Sequence, residues 1–294
     1  MRDVSGVTEA FADCDGVRLW TVSQSVGHPV MLCNGGAGCC DYLDPVAVMF
    51  DDLCRVIRFE QRGCGRSQLV PPYNIETCLI DLESIRNYYE IDRWIIGGHS
   101  WGADLALIYA LEYTPHVAGL ICIAGGRIHN DREWHNEYER RKVQEGEHLP
   151  HFDYPPNDEV NKQLNRSWKS YIQNPTLLRT ISRLRVPALF VYGDRDIRPS
   201  WPVEQVAYLM PHARFEFIEG AEHIIWFSHP IELKSILRDF VDDIRRKDPE
   251  IAGEYAHLKY ELSDCSGEDR EAYTDAKTHF ISEVVRRAQE NERT

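Results

Sequence analysis

The segment Trp94–Ala110, WIIGGHSWGADLALIYA, constrains the fold most because it predicts a strand, a sharp turn and a helix in direct succession. The apolar run Trp94–Ile96 is typical of a strand buried on both faces of a sheet. The apolar residues after Trp101 have the spacing of a helix packed on that sheet. Between them lies Gly98–Gly102, GHSWG, in which glycines bracket the turn. We expect this turn to hold the Ser100 hydroxyl above the sheet, beside the positive end of the helix.

Strand-like and helix-like runs alternate along most of the chain, which predicts an α/β fold with a mostly parallel central sheet and helices on both faces. The predicted strands are Val17–Ser23, Val30–Cys33, Arg55–Phe59, Trp94–Ile96, Val117–Ile123, Ala188–Tyr192 and Arg214–Ile218. The predicted helices are Ile75–Tyr89, Trp101–Tyr113, Val203–Met210 and Ile231–Ile244. The first two strands are close enough in sequence to pair. Right-handed crossovers place the loops after the parallel strands along one edge, where we expect the catalytic groups.

Residues 127–185 interrupt this alternation with a segment that is rich in charged and aromatic residues and contains no strand pattern. We predict a helical lid inserted above the catalytic edge; the alternative is a solvated helical excursion without a role in substrate binding. The predicted organisation is a core domain in two parts, 1–126 and 186–246, with the lid at 127–185 and a C-terminal helical extension at 247–294. In the extension, apolar residues repeat every four positions from Ala272 to Ala288. That stripe either packs on the chain's own body or forms a homo-oligomer contact.

The composition narrows the classes of partner. A net charge of −14 over 294 residues argues against a nucleic-acid partner, because phosphate binding needs a basic surface. No apolar run is long enough to span a membrane, and the polar N-terminus lacks a signal-peptide core. The nine cysteines have no zinc-like spacing, which favours a reduced, cytoplasmic setting. We therefore expect a small-molecule or short-peptide substrate, with no metal and no cofactor.

A serine hydroxyl becomes a strong nucleophile when a base takes its proton and a third group orients that base. The segment LFVYGDRDIRP ends a predicted strand and offers Asp194 and Asp196. The last predicted strand is followed by a Gly-Ala turn and His223. The order Ser, Asp, His, each after a different strand, is that of the α/β-hydrolases. We predict Ser100 as nucleophile, His223 as base and Asp196 as the orienting acid, since the fourth residue of a G-x-x-D turn faces the site; Asp194 is better suited to capping that turn.

The same chemistry requires two hydrogen-bond donors for the developing oxyanion. The loop NGGAG follows a predicted strand, and glycines let backbone N–H groups approach a ligand. We assign one donor to the backbone of Gly36 and the other to that of Trp101. The nearby thiols of Cys33, Cys39 and Cys40 are alternative nucleophiles, but none of them lies in a strand-to-helix turn.

Three motifs, NGGAG, EQRGCGRS and GGHSWGADLAL, together resemble the proline iminopeptidases of the α/β-hydrolase fold. That family carries HGGPG, DQRGxGxS and GGSWGxxLAL. The resemblance covers residues 16–127 and resumes over 186–244. By motif position it implies the same three catalytic residues, Ser100, Asp196 and His223, and an acyl-enzyme mechanism.

The chain also departs from the family pattern at several positions. His99 stands where the family has glycine, Asn34 and Ala37 replace the histidine and proline of the oxyanion loop, and Glu60 replaces aspartate. These changes fall within the motifs that carry the resemblance. They make the hydrolase assignment firmer than the peptidase assignment.

In the lid, RSWKSYIQ resembles an aromatic W-x-x-W-E element whose glutamate binds the free amine of the substrate. Trp168 and Tyr171 match its aromatic residues, but Ile172 stands in place of the glutamate, and an isoleucine cannot pair with an ammonium ion. Trp168, Tyr171 and a third lid aromatic, Trp134, are the predicted substrate-binding residues. The lid acids that could replace the missing glutamate are Glu133, Glu137 and Glu139.

Three functions follow from these patterns. The first is a serine hydrolase that resembles the proline iminopeptidases and removes an amino-terminal residue. The second uses the same catalytic residues as a carboxylesterase, lactonase or amidase on a small apolar substrate. The third is a non-catalytic ligand-binding member of the fold, since fold does not imply function. A complete Ser-Asp-His set with an oxyanion loop argues against the third.

Overall fold

The computed structural model of the protein describes residues 6–129, 132–145 and 148–247. Within them, eight strands form one sheet, namely β1 (Val7–Cys14), β2 (Val17–Gln24), β3 (His28–Cys33), β4 (Cys54–Phe59), β5 (Trp94–His99), β6 (Val117–Ile123), β7 (Ala188–Gly193) and β8 (Ala213–Ile218). Their order across the sheet is β1-β2-β4-β3-β5-β6-β7-β8. β2 runs antiparallel to both β1 and β4, and all other pairs are parallel. The predicted mostly parallel sheet is confirmed.

Two features of the sheet differ from the sequence prediction. The expectation that the strands now called β2 and β3 pair is wrong, because β4 lies between them and pairs with both. The edge strand β1 was not predicted. Its residues alternate with no clear apolar face, and most are exposed at the rim of the sheet. Only Ala12 and Cys14 at its end are buried, so the hydrophobic pattern is too short to identify the strand.

Helices cover the sheet: α1 (Asp44–Ala47), α2 (Ile75–Tyr88), α3 (Trp101–Glu112), α4 (Arg132–Glu145), α5 (Asp158–Tyr171), α6 (Leu177–Arg183), α7 (Trp201–Leu209), α8 (Ile225–Ser228) and α9 (Pro230–Lys247). α3 matters most for the site. Each of its residues from Trp101 to Ala110 is buried, because the helix packs against the central strands β5 and β6. A helix that is apolar on all sides is typical of such a buried position.

Three helices, α4, α5 and α6, occupy the segment between β6 and β7 where no strand was predicted. α5 buries Val160, Leu164 and Trp168, which lie four residues apart on one face. The start of α5 contacts the NGGAG loop of residues 34–38, called the glycine-rich loop below. The Asn161 side chain donates to the carbonyl of Ala37 at 2.6 Å, and the Asn157 N–H donates to the carbonyl of Gly38 at 2.8 Å. The segment is therefore bound to the loop expected to hold the oxyanion. Its role as a lid stays a prediction.

After β8 the chain forms α8 and α9, and the compact unit that carries the sheet runs to Ile244. The predicted C-terminal extension and its apolar stripe lie outside the described residues, apart from Lys247 at the end of α9. Among the helices of the described residues, none combines the length and the apolar character needed to cross a bilayer.

Candidate active site

The turn between β5 and α3 holds Ser100 in a strained backbone conformation. Its φ is 55° and its ψ is −122°, a combination that residues with a Cβ atom rarely adopt. The Ser100 N–H donates to the carbonyl of Ile123 at 2.8 Å, and the Ser100 carbonyl accepts from the Asp104 N–H at 3.2 Å. These bonds fix the turn between β6 and the first turn of α3, and the serine side chain is only partly buried there.

Gly98 and Gly102 are required because the backbone around this turn is packed too closely for side chains. A Cβ atom on Gly98 would overlap the carbonyl group of Gly102, and a Cβ atom on Gly102 would overlap the carbonyl oxygen of Cys33. Either clash is with backbone, which can move only if the end of β3 or the start of α3 moves with it. The G-x-S-x-G pattern therefore has a steric cause in this chain.

The loops after β7 and β8 bring an acid and a base together at the same edge of the sheet. The Nδ1 atom of His223 lies 2.6 Å from Oδ2 of Asp196, and both residues are buried. The second carboxylate oxygen of Asp196 accepts from the backbone N–H of Arg198 at 2.8 Å. A carboxylate on Nδ1 leaves Nε2 of His223 as the ring atom that can take a proton from a hydroxyl.

The electrostatic environment of Asp196 balances burial against positive charge. Burial raises the pKa of Asp196 to about 6, while the Arg198 guanidinium and the Arg198 N–H act in the opposite direction. The Nη1 atom of Arg198 lies 3.8 Å from Oδ1 of Asp196. Arg141 in α4 donates to the backbone carbonyl of Asp196 at 3.1 Å. Above a pH of about 6 the carboxylate is therefore charged and able to orient His223.

Asp194 lies two residues earlier in the same loop and faces solvent. Its Oδ1 atom accepts from the Gly220 N–H at 2.6 Å, which joins the loop after β7 to the loop after β8. The two aspartates therefore make different contacts. Asp196 contacts the imidazole, whereas Asp194 ties together the two loops that carry Asp196 and His223.

The glycine-rich loop after β3 lies against the Ser100 turn. A Cβ atom on Gly35 would come within 2.9 Å of the Ser100 Cβ atom. The Gly35 N–H donates to the Tyr42 hydroxyl at 2.9 Å and so is not available to a ligand. Gly36 adopts a left-handed φ of 59°, and Trp101 is the first residue of α3, so its N–H has no acceptor within the helix. The backbone N–H groups of Gly36 and Trp101 stay the predicted oxyanion donors.

The three lid aromatics predicted to bind substrate differ in position. Trp134 in α4 is buried, and its Nε1–H donates to the carbonyl of Pro199 at 3.1 Å, close to the loop that carries Asp196. Trp168 is only 1% exposed and belongs to the hydrophobic core. The Arg127 guanidinium carbon lies 4.3 Å from the centre of the Trp134 ring and 4.8 Å from that of Trp168. The two tryptophans therefore hold this arginine between them.

Tyr171 is not brought to Ser100. Its hydroxyl donates to Oε1 of Glu112 at 2.6 Å. Glu112 is the last residue of α3, whereas Ser100 precedes the first, so the two ends are about 16 Å apart along the helix axis. The neighbouring Ile172 packs against the hydrophobic core. The expectation that Tyr171 contacts substrate stays a prediction, and the hydrogen bond to Glu112 places its hydroxyl at the far end of α3.

The cysteines near the glycine-rich loop do not form an alternative nucleophile. Burial raises the pKa of the Cys39 thiol to about 11 and raises that of Cys40 as well. Cys33 is fully buried at the end of β3, and burial also raises its pKa. Because the thiolate is the reactive form, these three thiols are poorly suited to attack a substrate at neutral pH.

Two residues at the site were not predicted to act there, namely Tyr42 and His99. His99 carried a signal, since an ionisable side chain occupies the position of a glycine within the turn motif. Tyr42 carried none, because it follows the glycine-rich loop in a segment without a recognisable pattern. The structure places the Tyr42 hydroxyl 2.7 Å from Nδ1 of His99.

Replacing Asp196 with asparagine should lower kcat by about 10⁴-fold, because an amide favours the wrong tautomer of His223, as in other Ser-His-Asp triads. The matched variant Asp194→Asn keeps an Oδ1 atom that can accept from the Gly220 N–H and removes only an exposed charge, so its kcat should stay within about threefold of wild type and its stability within about 1 kcal/mol. Steady-state kinetics on a shared aryl ester, with thermal melts as a folding control, measures both. Equal losses in the two variants, or a larger loss in Asp194→Asn, would contradict the assignment.

Two family models match the chain. One, described as the alpha/beta hydrolase fold, matches residues 28–174, which is half of the chain and includes the Ser100 turn. The other, described as GrpB protein, matches residues 223–287, beginning after the last strand of the sheet. Residues 248–287 of that second match lie outside the described part of the chain.

Similar curated proteins include several proline iminopeptidases. The enzyme of Saccharolobus solfataricus is 36% identical over 112 residues, which cover 37% of this chain and 36% of that protein. The enzyme of Neisseria meningitidis serogroup A is 35% identical over 107 residues, or 32% of each chain. The chain therefore spans about a third of the length of these relatives.

Solved structures with the same architecture are more distant in sequence. The crystal structure of E-2-(acetamidomethylene)succinate hydrolase has a TM-score of 0.66 and 15% identity, covering 80% of this chain and 99% of that one. A thermophilic esterase from Thermogutta terrifontis has a TM-score of 0.62 and 20% identity, covering 81% and 99%. At these identities the likeness concerns the fold. Taken with the family model and the sheet order, it shows that the chain belongs to the alpha/beta hydrolase fold family.

Proposed function

We propose that the protein is a serine hydrolase that works through an acyl-enzyme on Ser100, with His223 as base and Asp196 as the orienting acid. The observation that carries this proposal is the buried 2.6 Å contact between His223 and Asp196 at the sheet edge where the strained turn presents Ser100. Aspartate side chains are rarely buried in proteins unless they are paired. A carboxylate that is desolvated against an imidazole is a recurrent feature of catalytic sites.

In the first half-reaction, the Ser100 hydroxyl oxygen attacks the acyl carbon of the substrate while its proton passes to Nε2 of His223. The substrate oxygen becomes an oxyanion and is bound by the N–H groups of Gly36 and Trp101. When this intermediate collapses, the proton moves from His223 to the leaving amine or alcohol. Water then attacks the acyl-Ser100 ester by the same steps in reverse, which releases the acid and the free enzyme.

The resemblance and the similar proteins favour a proline iminopeptidase activity, which must bind a free amine. The lid acids considered for that role are unsuited to it. Glu137 accepts hydrogen bonds from Arg140 at 2.6 Å and from Arg141 at 2.7 Å, while Glu133 and Glu139 are exposed. Ile172, at the position of the family's glutamate, packs against the core. None of the acids considered is therefore a buried, unpaired carboxylate that could bind an incoming ammonium group.

A second candidate, hydrolysis of a small ester, lactone or amide without a free amine, is favoured by the charges around Asp196. Arg141 and Arg198 both contact that residue. A buried ammonium ion near these two guanidinium groups would be electrostatically unfavourable. Neutral or anionic acyl substrates avoid that cost, so the geometry supports this second class better.

Treatment of the wild type with a fluorophosphonate probe should place one covalent label on Ser100, because the phosphorus atom takes the place of the acyl carbon. Peptide mapping by mass spectrometry locates the label. Ser100→Ala should take up none. Ser200→Ala, which removes a hydroxyl that contacts Glu204, is the matched control and should label as wild type does. Labelling of Ser100→Ala at the wild-type rate would refute the proposed nucleophile.

The two substrate classes can be separated with prolyl arylamide and its N-acetylated form, in which an acetyl group on the nitrogen removes the positive charge of the amine. We expect kcat/KM for the N-acetylated substrate to equal or exceed that for the free amine, because burial of an unpaired ammonium ion is costly. A short-chain aryl ester in the same assay reports whether the enzyme is active. A preference of about tenfold or more for the free amine, equivalent to roughly 1.4 kcal/mol, would favour the iminopeptidase instead.

A further inference from the structure

His99, the last residue of β5 and the residue before the nucleophile, is buried between the segments that follow β3 and β8. It is only 1% exposed, and both of its ring nitrogens have hydrogen-bond partners. Nε2 lies 3.0 Å from the backbone carbonyl oxygen of His223, and Nδ1 lies 2.7 Å from the hydroxyl of Tyr42. The Tyr42 hydroxyl in turn accepts from the N–H of Gly35 at 2.9 Å. Two side chains, Tyr42 and His99, thus connect the oxyanion loop to the backbone of the base.

The direction of each hydrogen bond follows from its partners. A carbonyl oxygen only accepts, so the Nε2 atom of His99 carries the proton that it donates to His223. Nδ1 is then the acceptor, and the single proton of the Tyr42 hydroxyl points to it. The hydroxyl oxygen keeps a lone pair for the Gly35 N–H. The chain of bonds therefore runs in one direction, from Gly35 through Tyr42 and His99 to His223, and it fits only one neutral tautomer of His99.

The surroundings keep His99 in that neutral form. Burial lowers the pKa of His99 well below its usual value, and the nearby imidazole of His223 acts in the same direction. Aromatic rings enclose the contact: the Trp226 ring lies edge-on at 4.8 Å from His99, and Tyr42 stacks on Trp226 at 6.3 Å. Burial strengthens the hydrogen bonds that these groups make, and it raises the free-energy cost of leaving one of the groups unpaired.

We propose that Tyr42 and His99 are positioning residues that hold the oxyanion loop and the His223 loop in register with Ser100. This proposal rests on the proposed serine hydrolase function. The Tyr42 hydroxyl accepts from the Gly35 N–H and so fixes the Asn34–Gly35 peptide, which adjoins the peptide that carries the assigned oxyanion donor, the Gly36 N–H. His99 fixes the backbone of the base through its carbonyl oxygen. Neither residue is assigned contact with the substrate.

The geometry explains why positioning is needed at this point. Oxyanion donors act only within a narrow range of distance, about 2.7–3.1 Å from the oxygen that they stabilise. Gly36 adopts a left-handed conformation in a loop of glycines, which has many alternative conformations of similar energy. A hydrogen bond to the preceding peptide reduces that freedom. The position of His99 within the turn ties this restraint to the nucleophile itself.

The rate at which a fluorophosphonate labels Ser100 tests the proposal without knowledge of the natural substrate. Tyr42→Phe keeps the ring and removes the hydroxyl, and it should slow labelling by about tenfold. Tyr89→Phe is the matched control, because it likewise removes only a hydroxyl, one that lies 2.7 Å from the hydroxyl oxygen of Thr21 on β2. The control should label within about twofold of wild type. Thermal melts of both variants report any general loss of stability.

Variants of His99 separate the two ends of the connection. His99→Asn keeps an acceptor near Tyr42 but is too short to reach His223, whereas His99→Gln places a donor nearer the His223 carbonyl. Each should label faster than His99→Ala. The double variant Tyr42→Phe/His99→Ala should be labelled about as slowly as His99→Ala alone. The reason is that His99→Ala already interrupts the chain of hydrogen bonds, so that loss of the Tyr42 hydroxyl has little further effect. Fully additive losses would contradict a shared role.

The outcomes distinguish this proposal from the function on which it rests. If Ser100 of the wild type takes up no label, the proposed function itself is refuted. If the wild type is labelled and the Tyr42 and His99 variants are labelled as fast, positioning is refuted and the hydrolase assignment stands. Nitrogen-15 NMR of His99 in the wild type adds a test that needs no variant. A neutral imidazole protonated at Nε2 is expected, and protonation at Nδ1 or at both nitrogens would overturn the proposal.

Discussion

Close packing of backbone against backbone around Ser100 is the constraint on which the rest of the site depends. At Gly98 and Gly102 there is no space for a Cβ atom, because the end of β3 and the first turn of α3 are in direct contact there. This contact forces the serine into its strained conformation and brings the glycine-rich loop against it. The strained conformation is retained because the surrounding hydrogen bonds and the packing of the buried helix α3 hold the backbone of the turn in place.

The site then combines two electrostatic arrangements that rest on buried side chains. Asp196 is a buried carboxylate held between the imidazole of His223 and the arginines that contact it from α4 and from its own loop. His99 is an imidazole whose pKa is lowered by burial, and its two nitrogens have neutral partners, the Tyr42 hydroxyl and the backbone carbonyl of His223. Two histidines only 4.6 Å apart thus have opposite environments, one able to accept a proton and the other unable.

The local features of this arrangement could be predicted from the sequence, and the long-range ones could not. The glycine spacing identified the Ser100 turn, and the apolar runs identified seven of the eight strands, because both depend on neighbouring residues. The pairing of β2 with β4, the burial of Trp168 and the direction of Tyr171 depend on packing between distant segments. Tyr42 is the clearest case, since its role arises only where the glycine-rich loop meets His99.

A covalent acyl intermediate on Ser100 is the step on which the roles proposed for His223, Asp196 and the oxyanion loop depend. Rapid acid quenching of the wild type during turnover of an aryl acetate, followed by mass mapping of its peptides, measures this directly. One acetyl group per chain should appear on the peptide that contains Ser100 and disappear as the substrate is consumed. Turnover that proceeds with no acylated peptide, or with the acetyl group on a cysteine or histidine instead, would contradict the central claim.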